Sequence, residues 1–277
     1  MKVKFVSDSS CDMLVREGVN YCTVPLTITI GNQHFKDDLN LDKSAFLDAL
    51  DAAREASKSA CPSLQAWTDA FEGNDVVYVV TVTSGLSGTY NSARLAKDMY
   101  LEDHPDTKIH IFDSLSTGPE MSMIMDKIIE LDGQGYGFEE VVEKIQEYQK
   151  HTHLLFVLGS LHTMAMNGRV SKVVASACGV LGIHVAAIAS EKGEVEVVGK
   201  CRGAKKLQKF LVEKMKETGY KGGKIRFGYV DNQEMVQKLK DLVLAEFPNA
   251  QISFQETTAL CSYYCERNGF MIAYETE

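Results

Sequence analysis

The sequence predicts an α/β protein of two domains, and three observations carry that prediction. Apolar, β-branched runs alternate with helix-compatible segments through the first half of the chain. These runs carry almost no charge, as strands of a parallel sheet buried on both faces do. Beyond about residue 150 the pattern changes to strands joined by a tight Gly-containing turn, which are antiparallel. A chain of 277 residues with 45% hydrophobic content can bury two cores of this kind. We therefore expect an α/β domain with a helix-flanked parallel sheet over 1–152. A mixed-sheet α/β domain over 153–277 closes against it, with ligands favoured at the junction.

The elements follow in order. Residues 2–7 and 23–30 are rich in β-branched side chains and read as strands. Asp42-Lys43-Ser44 caps a helix that runs through Phe46, Leu47, Leu50 and Ala53. Residues 76–82 form the most apolar strand, and a helix begins near Ser92. A short alternating strand over 108–112 leads to a helix over 121–131. Phe138, Val141, Val142, Ile145 and Tyr148 then recur at helical spacing. In the second half, 154–158 reads as a strand and 171–181 as a helix. Strands over 184–189 and 194–199 flank Glu191-Lys192-Gly193 as a hairpin. A strand over 224–230, an amphipathic helix over 233–247 and a strand over 251–255 complete the chain.

Bulk properties exclude several functions. A net charge of −9 without a polybasic block argues against nucleic acid as a partner. The opening residues turn polar at Ser7-Asp8, so no cleavable signal is expected. The apolar stretch over 173–189 is interrupted by Ser176, Gly179, Gly182 and His184 and is too short for a membrane span. Seven scattered cysteines fit reduced thiols in the cytoplasm. Cys261 and Cys265 would share a helix face, but no second pair or histidine cluster accompanies them. Two small buried residues is the better reading than a zinc site, and neither metal nor cofactor is expected.

The chemistry concentrates in Thr83-Ser84-Gly85-Leu86-Ser87-Gly88-Thr89, between the strand over 76–82 and the next helix. Glycines let the backbone approach a ligand, while hydroxyls and free helix N–H groups donate to an anion. Phosphate and carboxylate are the two candidates. Gly85-Leu86-Ser87-Gly88-Thr89 nearly matches a hydrolase nucleophile elbow, but Thr89 replaces the last glycine and no partner histidine stands out. A phosphosugar-binding protein or isomerase using residues 84–89 is the alternative, although no acid–base pair accompanies it. A plain strand-to-helix turn is the blandest reading. Three further hydroxyl-bearing loops raise the odds of a site: Asp8-Ser9-Ser10-Cys11-Asp12, Ser59-Ala60-Cys61-Pro62-Ser63 and Asp113-Ser114-Leu115-Ser116-Thr117-Gly118. The first and third follow strands, where ligands of α/β sheets sit, and the second follows a helix. Helix capping by Ser10 or Asp12 is the plainer use of the first. Asn167-Gly168-Arg169-Val170-Ser171 brings a cation that solvated helix-start chemistry would also explain. Met121, Met123, Met125, Met164 and Met166 suit an adaptable apolar pocket or an ordinary core.

Taken in order, these segments resemble the DegV family of bacterial lipid-binding proteins. Its D-S-x-x-D element matches residues 8–12, and T-S-Q-P-S appears as residues 59–63 with Ser59 in place of threonine. Its S-S-x-L-S-G-T-Y-x-S-A element appears nearly intact over 83–93. D-S…G matches Asp113, Ser114 and Gly118, and G-G-R-I-S matches residues 167–171. The resemblance implies an α/β/α sandwich followed by a two-layer mixed-sheet domain, with a long-chain fatty acid between them. It implies a carrier that presents the acyl carboxylate to a separate fatty acid kinase and is not itself an enzyme.

By position, Ser59 and Ser87 would hold the carboxylate, with Arg169 in the network. Asp8, Ser9, Ser63, Thr83, Ser84, Gly85, Gly88, Thr89, Asp113, Ser114 and Gly168 would support it. Two departures bear on the kinase partnership. His184-Val185 stands where the family carries lysine-proline, and Tyr264 with Glu266-Arg267-Asn268 stands where it carries histidine and glycine-proline-glycine. A lipid sensor or store without kinase coupling is the variant these departures suggest. Burying a long chain at about 0.8 kcal/mol per methylene gains on the order of 10 kcal/mol before ordering costs. The tail thus supplies affinity, and paired donors spare the carboxylate its desolvation penalty.

Overall fold

The computed structural model describes residues 1–53, 57–171 and 183–276. Four parallel strands, β1 (Val3–Asp8), β2 (Tyr21–Val24), β6 (Val76–Thr81) and β7 (Lys108–Asp113), form one sheet in the order β2-β1-β6-β7. Every residue of β6 is buried. Its side chains alternate between faces: Val77 and Val79 pack with Trp67, Phe71 and Ala96, while Val76, Tyr78 and Val80 pack with Ile124, Ile128 and Ile145. Helices α2 (Leu64–Phe71) and α3 (Thr89–Asp103) therefore cover one face. Helices α4 (Gly118–Gly133) and α5 (Phe138–Tyr148) cover the other. This is the helix–sheet–helix arrangement expected of the first half.

The second sheet takes every strand from residue 152 onward. Its order is β10-β9-β8-β13-β11-β12, with β8 (Thr152–Leu158), β9 (Ile183–Ala189), β10 (Val195–Arg202), β11 (Lys224–Tyr229), β12 (Gln251–Glu256) and β13 (Phe270–Glu275). Only β11 and β12 pair in parallel, so the sheet is mixed. Glu191-Lys192-Gly193 lies in the β9–β10 hairpin, as the turn chemistry requires. One face packs on α7 (Ala204–Glu217) and α8 (Gln233–Glu246) through Leu207, Leu211, Val236 and Leu239. The other face carries Leu154, Phe156, Leu158 and Met271 toward the first half of the chain.

Several elements differ from the sequence reading. The strand expected over 23–30 is two strands, because Pro25 lacks an N–H and interrupts the ladder. Its second part, β3 (Thr27–Ile30), forms a small antiparallel sheet with β4 (Gln33–Lys36) and β5 (Ser57–Ala60). Ser59 consequently lies on a strand, opposite Ile28, rather than in a loop after a helix. Helix α1 (Lys43–Ala52) is capped by Asp42, which accepts from Ala45 N, and plants Phe46 and Leu47 under this small sheet. The short helices α6 (His162–Met166) and α9 (Ala259–Cys265) and the strand β13 were not anticipated. The helix expected over 171–181 falls, beyond Ser171, outside the described residues.

Candidate ligand-binding site

The loops at the carboxyl ends of β6 and β7 face the apolar side of the second sheet, and a cavity lies between them. It encloses about 760 Å³ of atom-free space, counting its solvent-open mouth. Leu154, Phe156, Leu158 and Met271 form one wall. Leu260, Cys261, Tyr264 and Cys265 of α9 form another, and Leu26 and Met164 add to the apolar lining. Polar lining comes from Ser59, Thr83, Ser87, Ser116, Thr117 and Arg169. At one end the cavity shares Leu86, Arg169, Glu194 and Val195 with an open surface hollow, which also takes in Gly85 and Gly168.

The loop over 83–89 is held in place from both sides. Thr83 Oγ1 donates to Gly193 O (2.9 Å) across to the β9–β10 hairpin and accepts from Gly85 N (3.0 Å). A Cβ at Gly193 would lie 1.9 Å from Thr83 Oγ1, and one at Gly85 would lie 2.5 Å from Lys192 O. These two glycines let the halves meet. Ser87 Oγ shares a hydrogen bond with Thr89 Oγ1 (2.8 Å) and accepts from Thr89 N (3.3 Å) at the start of α3, where Gly88 is the cap residue. Ser84 is exposed, and its N–H donates to Asp113 Oδ1 (3.1 Å), which also accepts from Leu115 N. Arg169 donates from Nε to Leu86 O (3.0 Å) and from Nη1 to Asn167 O (2.5 Å), which fixes its guanidinium beside this loop.

The other expected residues divide sharply. Ser59 lies on the cavity wall, where its Oγ and the Tyr264 hydroxyl share a 2.8 Å hydrogen bond. Ser63 is away from the cavity lining and caps α2 by accepting from Ala66 N. Ser114 is buried, donating to Ser116 O and accepting from Ser116 N. Asp8 and Ser9 are fully buried and lie behind the cavity rather than on it. Asp8 accepts from Ser10 N (2.9 Å) and Val82 N (2.7 Å), and Ser9 Oγ accepts from Leu26 N (3.1 Å). Asp12 and Asp37 receive the amino end of α9: Thr258 N donates to Asp12, and Ala259 N and Leu260 N to Asp37. Burial pushes the Asp8 carboxyl up to about 6 and that of Asp12 up to about 7, and raises Asp37 as well.

Tyr264 and Met271 were missed as lining residues, while Ser116 and Thr117 were named only within the hydroxyl-bearing loop over 113–118. Tyr264 was noted only as a departure, and the continuous apolar run from Phe270 to Tyr274 was the signal that could have found Met271. Burial raises the Cys261 and Cys265 thiols, so they meet a ligand as apolar walls rather than as nucleophiles. Glu266 accepts from Ser160 Oγ (2.7 Å) and Thr163 N (3.2 Å). Arg267 pairs with Asp48, Asp51 and Asp231. Those departures thus anchor the turn before β13 to α1 and α6. Among the described residues, no group of three or more His, Cys, Asp or Glu side chains is placed to hold a metal ion. No described helix is long and apolar enough to cross a membrane.

The family model of DegV proteins, a family described as uncharacterised, matches residues 2–277. The chain belongs to the DegV family. A DegV domain-containing protein of Streptococcus pneumoniae is 43% identical over 281 residues, covering all of both chains. This DegV chain is also similar to two solved structures. One is the Streptococcus pneumoniae Fatty Acid Kinase (Fak) B3 protein loaded with linoleic acid, with 42% identity, full coverage of both chains and a TM-score of 0.98. The other is a DegV family protein from Eubacterium eligens loaded with heptadecanoic acid. It has 43% identity, covers 99% of this chain and 100% of its own, and has a TM-score of 0.97. The expected family and fold class both stand.

Proposed function

We propose that this DegV protein binds a long-chain fatty acid in the cavity and acts as a carrier rather than as a catalyst. The observation that carries this reading is an apolar cavity with Ser59, Ser87 and Arg169 in its lining. The apolar walls suit an acyl tail, and they suit a phosphosugar poorly, since its hydroxyls would go unpaired there. Ser87 and Ser59 supply hydroxyls for the carboxylate. Arg169, beside the open hollow, supplies the balancing charge. The likeness to the pneumococcal Fak B3 protein supports presentation of the carboxylate to a separate kinase at that open end. In this reading the chain divides near residue 152 into the two bodies that enclose the ligand. The free thiols among the described cysteines fit a cytoplasmic protein.

Mass spectrometry of an organic extract from natively purified protein tests the proposal. Fatty acid at about one per chain is expected. An empty extract, followed by no uptake of added fatty acid, would return the 83–89 loop to phosphate ligands.

A further inference from the structure

The cavity crosses the second sheet from strand to strand. Val195 on β10 and Ala189, at the end of β9, stand at the side that opens to the surface hollow. Leu154, Phe156 and Leu158 follow on β8, then Met271 on β13. From β10 to β13 is three strand spacings, about 14 Å. The next strand, β11, contributes nothing to the lining among the described residues. Met271 is paired with Gly228 of β11, and both lie on the cavity-facing side of the sheet.

The Met271 side chain is buried and its tip rests in a notch made by two glycines. A Cβ at Gly118, the first residue of α4, would lie 2.7 Å from Met271 Cε and 3.0 Å from its Sδ. A Cβ at Gly228 would lie 3.3 Å from Met271 Cε and 3.2 Å from Pro119 Cδ. The notch is bounded by the Asp12 carboxyl, whose Oδ2 would lie 3.1 Å from a Cβ at Gly118, and by Pro119, and the unbranched Met271 thioether separates it from the cavity.

We infer that Met271 is the stop at the blind end of the cavity and sets the longest acyl chain that the protein accepts. This rests on the fatty-acid reading above. Shortening residue 271 joins the notch to the cavity and admits additional methylenes. A methyl group at position 228 presses on Pro119 and on the Met271 tip without displacing either by the length of a methylene, so it perturbs the same notch and leaves the accepted length unchanged. General weakening of the core would lower affinity for every length alike, whereas opening the notch favours the longer acyl chains.

The experiment measures equilibrium binding of a homologous series of straight-chain saturated fatty acids to delipidated full-length protein. The wild type is compared with Met271→Ala, Met271→Leu and Gly228→Ala, each checked for folding by circular dichroism. Met271→Ala moves the preferred length upward, with about fourfold gain for each methylene newly buried. Met271→Leu keeps most of the core volume but reaches one atom less, and moves the preference the same way by a smaller step. Gly228→Ala leaves the preferred length unchanged. An unchanged length profile in the folded Met271 variants would overturn the inference. Failure of the wild type to bind any member of the series would overturn it together with the reading beneath it.

Discussion

The loops over 8–12 and 83–89 look alike as sequence. Each follows a strand of the parallel sheet, and each is built of small hydroxyl residues. Their fates are opposite. In the first, Asp8 and Ser9 are fully buried, and their side chains hold Ser10 N, Val82 N and Leu26 N. In the second, Ser87 is half-buried and lies on the cavity, while Ser84 is open to solvent. The difference teaches that a hydroxyl-rich loop at the end of a parallel strand has two uses. It is open to a ligand only where its hydroxyls reach the cavity, as Ser87 does, and serves as scaffold where they are enclosed, as Ser9 is. Asp8 accepts from Val82 N, immediately before the second loop, so the first loop is the scaffold on which the second is hung.

The largest expected effect comes from the buried end of this pair. Asp12 has one oxygen bonded by Thr258 N (2.7 Å) and Oγ1 (3.0 Å), and its other oxygen has no hydrogen-bond partner among the described residues. Thr258 Oγ1 also lies 3.1 Å from Asp37 Oδ2 and 2.9 Å from Ser9 O, so one hydroxyl proton faces three acceptors. No described lysine, arginine or histidine forms an ion pair with either carboxyl. The folded Asp12 holds its proton up to about pH 7, against about 3.9 for an unfolded aspartate. The folded state therefore binds more protons across that window. Stability from this group is complete below about pH 4 and is lost as pH rises through 7, on the order of 4 kcal/mol in all. Asp12→Asn should flatten the decline in urea-denaturation free energy between those limits. The difference between the two proteins isolates Asp12 from His110, which burial pushes down to about 4 and whose contribution has the opposite sign. Parallel pH profiles for the two proteins would break the claim that the first loop is a buried, proton-holding scaffold.

Much of this was legible before the fold was known. The buried run over 76–82, its following loop and the β9–β10 hairpin are local patterns, set by side-chain period and turn chemistry. Ser59 was harder to place. Ser57-Lys58-Ser59-Ala60 has no β-branched residue, and it becomes a strand because β3 offers a partner ladder. The split at Pro25 was visible in principle, since the missing N–H is a property of the residue alone. What sequence could not separate was the used from the unused hydroxyls. Ser9 and Ser87 are chemically the same and each accepts from a backbone N–H, so only the enclosure of one and the cavity beside the other tell them apart. The same limit hid Met271, whose role depends on Gly118 and Gly228, 153 and 43 residues away along the chain.

The open loop gives the smaller effects, and they sharpen the contrast within it. Ser87→Ala removes a hydroxyl from the cavity wall together with its bond to Thr89 Oγ1. With the fatty acid bound, a hydrogen bond to a charged head group is lost, worth about 1.5 kcal/mol or roughly tenfold in affinity. A fatty alcohol of the same length has no carboxylate to lose, so its affinity should fall much less. Calorimetric titration of both ligands checks this, and an equal loss for acid and alcohol would show that Ser87 only supports the wall. Ser84→Ala is the finer cut. Its side chain is exposed and makes no hydrogen bond among the described residues, while its N–H keeps the bond to Asp113 whatever the side chain. Both stability and fatty-acid affinity should therefore stay within about 0.5 kcal/mol of wild type. Two serines three positions apart in one loop would then differ because one faces the cavity and the other faces water. If Ser84→Ala weakens binding as much as Ser87→Ala, the ligand reaches past Gly85 to the surface, and the mouth of the site lies further out than the geometry places it.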